Sequence, residues 1–330
     1  MKIAITGVAG FVGSNLADLL LSNNHEVVGV DNFSTGYKNH ILQHKENKNF
    51  SFHKLDLSAD FDKNIFSDCD CIVHLAALAD IRYNKNNFKE CLNKNVLATN
   101  NVIEACVDNN VKKLLFASTC SVYGDVLTFP TKESEVNNQT SVYSSTKIAS
   151  EMLLEGFANT FGFQAYTMRF VSMLGQRYSH GHVFDFTKKI LNNETLNVLG
   201  SGDGIKSYLH IKDAVRAIDV LINHNSVNKF EAYNIGHSST IKLKYSVETI
   251  TEYLNYTGEI KFGEGASGWV GDVPVISPSV EKMKQLGWEP KFSIKKGITD
   301  TIDYLVDNQW LLNPNSRVDF FNHESKLALR

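Results

Sequence analysis

The sequence predicts an α/β protein: a Rossmann-type doubly wound parallel sheet of six or seven strands, with a smaller mixed α/β part toward the C-terminus. Three observations predict it. β-rich runs alternate with stretches of helical periodicity through the first half. Those runs are apolar almost throughout, as strands covered on both faces must be. A glycine-rich turn joins the first run to the first helix. The 330 residues leave room for two domains of about 150 residues each.

The elements follow in order. Lys2–Thr6, Glu26–Asp31, Phe50–Leu55, Cys71–Leu75, Lys113–Ser118 and Ala165–Arg169 read as strands. Val12–Leu21, Tyr83–Asn109 and Val142–Phe161 read as the helices between them. After Gly175 the alternation loosens. Short strands (Asn197–Leu199, Ser207–Ile211, Ala232–Ile235) mix with helices (Val183–Leu191, Lys212–Ile222, Lys244–Leu254, Ile294–Asn308). Residues 1–175 are expected to form the Rossmann domain and residues 176–330 the second, with a later strand or helix free to return to the first and a cleft between them. The polar tail after Asn313 has no assignment.

Composition excludes several function classes. Apolar residues make up 43% and charged residues 21%, enough for a buried core and against disorder. A net charge of −3 argues against a broad nucleic-acid footprint. No apolar run approaches the roughly 20 residues that cross a bilayer. The N-terminus enters a strand directly and does not read as a signal peptide. Five cysteines (Cys69, Cys71, Cys91, Cys106, Cys120) without zinc spacing read as reduced thiols, so a cytoplasmic protein is expected. His180 and His182 are an incomplete ligand set, and no metal is expected.

Thr6-Gly7-Val8-Ala9-Gly10-Phe11-Val12-Gly13 follows a strand and opens a helix. Gly7 and Gly10 permit a tight turn and close approach of backbone to a pyrophosphate; Gly13 permits close helix–strand packing. The helix N-terminus at Phe11 and Val12 offers free N–H groups and the positive dipole end. A plain structural turn would use the same triplet, so context decides. Asp31 ends the second strand, where a carboxylate accepts from an adenosine ribose and repels a 2′-phosphate. Asn32, Ser34 and Gly36 follow with no arginine at hand, which favours NAD over NADP.

Tyr143 and Lys147 lie at i and i+4 on one helix face. An ammonium beside a phenol stabilises the phenolate, and such a tyrosine exchanges a proton with a sugar hydroxyl during hydride transfer. A solvated helix face often carries the same spacing. Here a strand also runs into the polar loop Ser118-Thr119-Cys120-Ser121-Val122-Tyr123-Gly124 at the carboxyl end of the sheet, where α/β ligands bind, so Thr119 is placed to bond the same reacting oxygen.

With these residues the sequence resembles the extended short-chain dehydrogenase/reductases, specifically the NAD-dependent nucleotide-sugar epimerases of the UDP-glucose 4-epimerase type. The resemblance covers Met1 to about Asn308 and implies NAD as cofactor. It implies that Asp56 and Leu57 border adenine, and that Leu75, Ala76 and Ala77 of His74-Leu75-Ala76-Ala77, Asn95 and Phe170 line the cofactor beside Tyr143 and Lys147. For the substrate, a UDP-sugar above all, it implies Thr119, Ser172, His182, Val183, Lys206, Tyr208 and Asp272. Lys206 would face the phosphates and Asp272 the nucleotide ribose. Ser172 stands where the family usually has an asparagine, and Ser267 where it usually has an arginine. Ile276, where some relatives have a tyrosine, leaves room for an N-acetyl group. The resemblance also implies a homodimer built from Tyr83–Asn109 and Val142–Phe161, and a place in polysaccharide or other carbohydrate metabolism.

The loop after Thr119 selects among the family's reactions. The 4,6-dehydratases carry Asp-Glu and the decarboxylases a Glu in this loop; here the positions are Cys120 and Ser121, without a carboxylate. Epimerisation through a 4-keto intermediate needs no further acid and is the expected reaction. A reductase, a 2-epimerase, a dehydratase-like enzyme and a non-catalytic NAD-binding protein stand as alternatives.

Overall fold

The computed structural model describes residues 1–79, 87–135, 139–265, 267–268 and 271–313. A seven-stranded, wholly parallel sheet organises the molecule. Its strands are β1 (Lys2–Thr6), β2 (Glu26–Asp31), β3 (Phe50–Lys54), β4 (Cys71–His74), β5 (Lys113–Thr119), β6 (Gln164–Phe170) and β7 (Phe230–Ile235). Their spatial order is β7-β6-β5-β4-β1-β2-β3. The order reverses between β1 and β4, and a crevice opens beyond the carboxyl ends of strands at such a point.

Period-two alternation divides the core into two layers. On one face Ile3, Ile5, Val73 and Leu115 pack under α1 (Phe11–Ser22) and a later helix, Ile211–Asn223. On the other, Ala4, Ile72, Leu114 and Phe116 pack under α2 (Ala98–Asp108) and α3 (Val142–Phe161). All eight of these β-strand residues are wholly buried. A serine capping box, Ser141 with Ser144, starts α3, and Gly162 in the left-handed region ends it.

Strand edges differ from expectation by a residue. Leu75 and Leu55 lie just beyond β4 and β3, although their N–H groups still donate to the Thr6 and Asp31 carbonyls of the neighbouring strands. The expected helix Tyr83–Asn109 falls partly on residues 80–86, outside the described residues. Its described part begins with a short helix, Phe88–Cys91, and passes through a π turn, Leu92–Leu97, before α2.

Ala232–Ile235 was expected in the second half but lies within β7, paired with β6 from Phe230↔Ala165 to Ile235↔Phe170. Its last three residues, Tyr233, Asn234 and Ile235, are buried because the strand extends the main sheet. Helix Ile211–Asn223 also lies on this sheet, against α1. A separate core holds Leu174, Val183, Phe186, Leu196, Val247, Ile250, Ile298 and Ile302.

One buried ion pair joins α3 to the sheet. Arg169 Nη2 lies 2.6 Å from Glu151 Oε2, with both side chains almost wholly buried. Glu151 also accepts from Ser118, and Arg169 donates to the Glu133 carbonyl at 2.8 Å and Tyr123 Oη at 3.2 Å. Glu151→Ala, which leaves the guanidinium buried without its counter-ion, is expected to lower the unfolding free energy by about 3–5 kcal/mol in urea titration.

Candidate active site

The predicted cofactor residues converge at the carboxyl edge of the sheet. Gly7 takes φ +70°, and a Cβ there would lie 2.8 Å from the Ala76 nitrogen; a Cβ on Gly13 would lie 2.2 Å from the Gly7 carbonyl oxygen. Glycine is therefore required at both positions. Gly10 caps α1 without a side-chain hydrogen bond. The first N–H groups of α1, at Phe11 and Val12, thus lack intrahelical and capping side-chain partners and remain available to an anion.

Asp31 is largely buried and accepts from the Ala9 N–H at 2.9 Å and the Phe33 N–H at 2.7 Å. Burial pushes its carboxyl above the usual range despite those bonds. Asn32 accepts from the Ser34 N–H, and Gly36 packs on Ala9. This glycine turn, helix end and carboxylate fit a dinucleotide: pyrophosphate at the turn and α1, adenosine ribose at Asp31.

Asp56 and Leu57 lie farther along the same edge. Burial would raise the Asp56 carboxyl, but Lys94 and Ser58 bring it down to about 2. Its oxygens are held by Lys94 Nζ and by the Ser58 N–H and hydroxyl. Leu57 is buried, and its carbonyl accepts from Asn101. The Asn95 amide is spent within the protein: it accepts from the Leu78 N–H at 2.8 Å and donates to Thr146 Oγ1 at 3.1 Å and the Leu78 carbonyl at 3.2 Å. The Asn95 amide thereby bridges the loop after β4, which carries Leu75, Ala76 and Ala77, to α3. Phe170 closes β6 and is buried.

Tyr143 and Lys147 share the buried face of α3. Lys147 Nζ donates to the Ala117 carbonyl at 2.8 Å and lies 4.7 Å from the centre of the Phe116 ring. It is 5.9 Å from the Tyr143 ring centre. The expected lowering of the phenol by Lys147 is absent from the protein alone. Burial raises Tyr143, and burial pushes Lys147 down to about 7. The cause is geometric: the ammonium is bound to a carbonyl and an aromatic face rather than to the phenol.

Thr119 ends β5 and caps the turn Cys120–Tyr123. Its hydroxyl accepts from the Ser121 N–H at 3.1 Å and donates to Ser121 Oγ at 3.2 Å. Ser121 joins the site through this contact. Its signal was a second hydroxyl two residues beyond Thr119, and Glu151 was likewise signalled by its place one turn beyond Lys147. Tyr123 is withdrawn from the crevice, its hydroxyl donating to Asn234 Oδ1 at 2.5 Å.

The predicted substrate residues divide. Ser172 is exposed and pairs with Tyr208 across two short parallel strands, Ser172–Leu174 and Tyr208–His210. Tyr208 is buried. His182 packs on Tyr208 and its Nε2 lies 2.7 Å from Ser246 Oγ, so its ring is turned inward. Burial brings this ring down to about 4. The Val183 side chain is wholly buried in the second core, leaving only its backbone for a ligand. Lys206 and Asp272, expected on different parts of the substrate, are paired with each other at 2.8 Å. Asp272 also accepts from the Gly268 N–H at 3.0 Å, and Lys206 donates to the Val273 carbonyl. Ile276 lines a small cavity with Cys120, Tyr123, Gly124, Val126 and Val273, beside the turn that follows Thr119.

Residues 3–236 match the NAD dependent epimerase/dehydratase family. An uncharacterised protein of Methanocaldococcus jannaschii is 31% identical, over 94% of this chain and 98% of its own. A putative UDP-glucose 4-epimerase from the same organism is 28% identical, over 93% and 99%. The crystal structure of UDP-glucose 4-epimerase with UDP-glucose from Thermotoga maritima superposes with a TM-score of 0.85 at 29% identity, covering 94% of this chain and 100% of that one.

The Lys147 shift has a measurable consequence. Burial brings Lys147 down to about 7 from the ordinary lysine value of 10.5. Between these values the unfolded chain keeps a proton that the folded chain has released, so stability from this group rises with pH and is level below about 7. The difference in urea-unfolding free energy between wild type and Lys147→Met should therefore shift in favour of wild type from pH 7 to 9. A pH-independent difference would contradict the assignment.

Proposed function

The chain belongs to the NAD dependent epimerase/dehydratase family, and from that premise we propose that it is a nucleotide-sugar 4-epimerase, acting on a UDP-hexose or UDP-N-acetylhexosamine through a 4-keto intermediate. The observation that carries this reading is chemical. Tyr143 and Lys147 share one face of α3, and Thr119 stands at the end of β5, followed by a turn of Cys120, Ser121, Val122 and Tyr123 with no carboxylate. That turn has no acid or base for elimination or decarboxylation, whereas returning a hydride to the opposite sugar face requires none.

NAD⁺, when bound, supplies the hydride acceptor and a positive ring charge. Tyr143 takes the proton of the sugar O4 as the C4 hydride leaves, and gives it back when the hydride returns. Lys147 holds the nicotinamide ribose and adds a positive charge near the phenol. Thr119, with Ser121 behind it, orients O4. The keto sugar rotates between the two hydride transfers, so both faces of C4 are presented in turn. Ile276, smaller than the tyrosine at this place in some relatives, supports acceptance of an N-acetyl group on the sugar. Ser172 and Lys206 offer the diphosphate one hydroxyl and one paired ammonium, and Asp272 the ribose a carboxylate.

The same reading includes a homodimer joined along α3 and the helical stretch that ends in α2. Met152, Leu153, Gly156, Phe157, Thr160 and Phe161 line one shallow groove on α3, and Phe88 and Leu92 are each more than half exposed. Light scattering on Met152→Glu should then report monomers where wild type reports dimers.

A panel of UDP-, dTDP-, CDP- and GDP-sugars, including UDP-glucose, UDP-N-acetylglucosamine and UDP-glucuronic acid, tests the activity by separation of the C4 epimers. A UDP-sugar should equilibrate with no net consumption of NADH. Stoichiometric NADH consumption would identify a reductase instead. Tyr143→Phe should lower turnover by about 10²-fold or more while leaving NAD affinity unchanged.

A further inference from the structure

We propose that His74 is a positioning residue: a neutral imidazole of fixed tautomer that locks the glycine turn of the cofactor site to the helix carrying Tyr143 and Lys147. The argument is one of hydrogen counting. Thr99 has one hydroxyl proton and donates it to the Asn95 carbonyl at 2.5 Å. Its oxygen must therefore accept at its 3.0 Å contact with His74 Nε2, so Nε2 carries the ring proton. Nδ1 is then bare and must accept at its 2.6 Å contact with Thr6 Oγ1. The Thr6 oxygen in turn accepts the N–H groups of Leu75 and Ala76, each at 3.2 Å.

Every donor along this line points one way, from the backbone of residues 75–76 through Thr6, His74 and Thr99 to the Asn95 carbonyl. Neither ring nitrogen can be exchanged for the other without leaving a buried partner unbonded. His74, Thr6 and Thr99 are almost wholly buried, so water cannot replace a lost link.

Both ends of the line lie at the site. Ala76 is the residue against which Gly7 closes, at 2.8 Å from the Gly7 Cβ position. The Asn95 carbonyl, in the π turn, also accepts from Ser150 of α3 at 3.2 Å, and the Asn95 amide reaches Thr146, whose hydroxyl donates to the Tyr143 carbonyl at 2.8 Å. The His74 ring lies across Phe116, 5.8 Å between ring centres, and Lys147 Nζ also lies over that ring. A neutral imidazole keeps a second positive charge away from Lys147. Burial holds His74 down at about 3, with the Lys147 charge acting in the same sense.

The test is a cycle of His74→Phe, which keeps the ring on Phe116 and severs both bonds, Thr99→Val, and the double variant, with NAD affinity measured by calorimetry on the cofactor-stripped full chain. Each single variant should bind NAD more weakly, His74→Phe by about tenfold, and the double variant should be no weaker than His74→Phe alone. Wild-type NAD affinity in His74→Phe, whatever its melting temperature, overturns the proposal, as do losses that multiply in the double variant. His74→Gln, which keeps a donor toward Thr99 and loses the acceptor for Thr6, is read by the same criteria if His74→Phe does not fold.

The link to Tyr143 rests on the function proposed above and is read separately, at saturating NAD. There kcat for the UDP-sugar should fall about tenfold with KM within about twofold; an unchanged kcat overturns that link. A wild type that binds NAD but epimerises no UDP-sugar refutes the proposed function and leaves the NAD cycle to decide the role of His74.

Discussion

The geometry of the site depends on the buried pair between Glu151 and Arg169. Removing two charges from water costs several kcal/mol each, and such a pair persists only where further hydrogen bonds fill the remaining lone pairs and protons. Here Ser118, Tyr123 and the Glu133 carbonyl fill them. The pair ties α3 to β6, and the Ser118 contact ties it to β5. Glu151 lies one turn beyond Lys147, so these contacts set the roll of the helix. Tyr143 and Lys147 are thereby held on the buried face of α3, and Lys147 reaches the Ala117 carbonyl on the strand that ends in Thr119.

Polar groups around this anchor are arranged to hold position rather than to supply acid. The turn after Thr119 carries no carboxylate; its Cys120 thiol and Tyr123 hydroxyl are buried against the Arg169 carbonyl and Asn234. The Asn95 amide and the His74 imidazole, both aligned with cofactor-lining motifs in the sequence, face inward and are consumed by protein partners. Burial raises Tyr143 and lowers Lys147, so in the protein alone the phenol stays neutral and the lysine charge that would stabilise a phenolate is weakened.

Among the residues expected to meet a substrate, the charges are already paired. Lys206 is bound by Asp272 and the Val273 carbonyl, and Ser172 and Ser267 stand where cationic or amide side chains are usual in the family.

Much of this was legible in the residues alone. The apolar runs marked the first six strands of the sheet, the glycine spacing and Asp31 marked the turn into α1, and Tyr143, Lys147 and Thr119 marked the helix face and the strand end that the fold brings together. These signals are local: period, φ > 0 at Gly7 and i, i+4 spacing are properties of short segments, and the sequence by itself determined them. Only the tertiary structure decided that Phe230–Ile235 returns to the main sheet, that Lys206 binds Asp272, and that His182 and Val183 turn inward, because each depends on partners far away in the chain. Burial and hydrogen-bond direction are likewise set by packing between distant segments, which is why no spacing announced the line from Thr6 through His74 to Asn95.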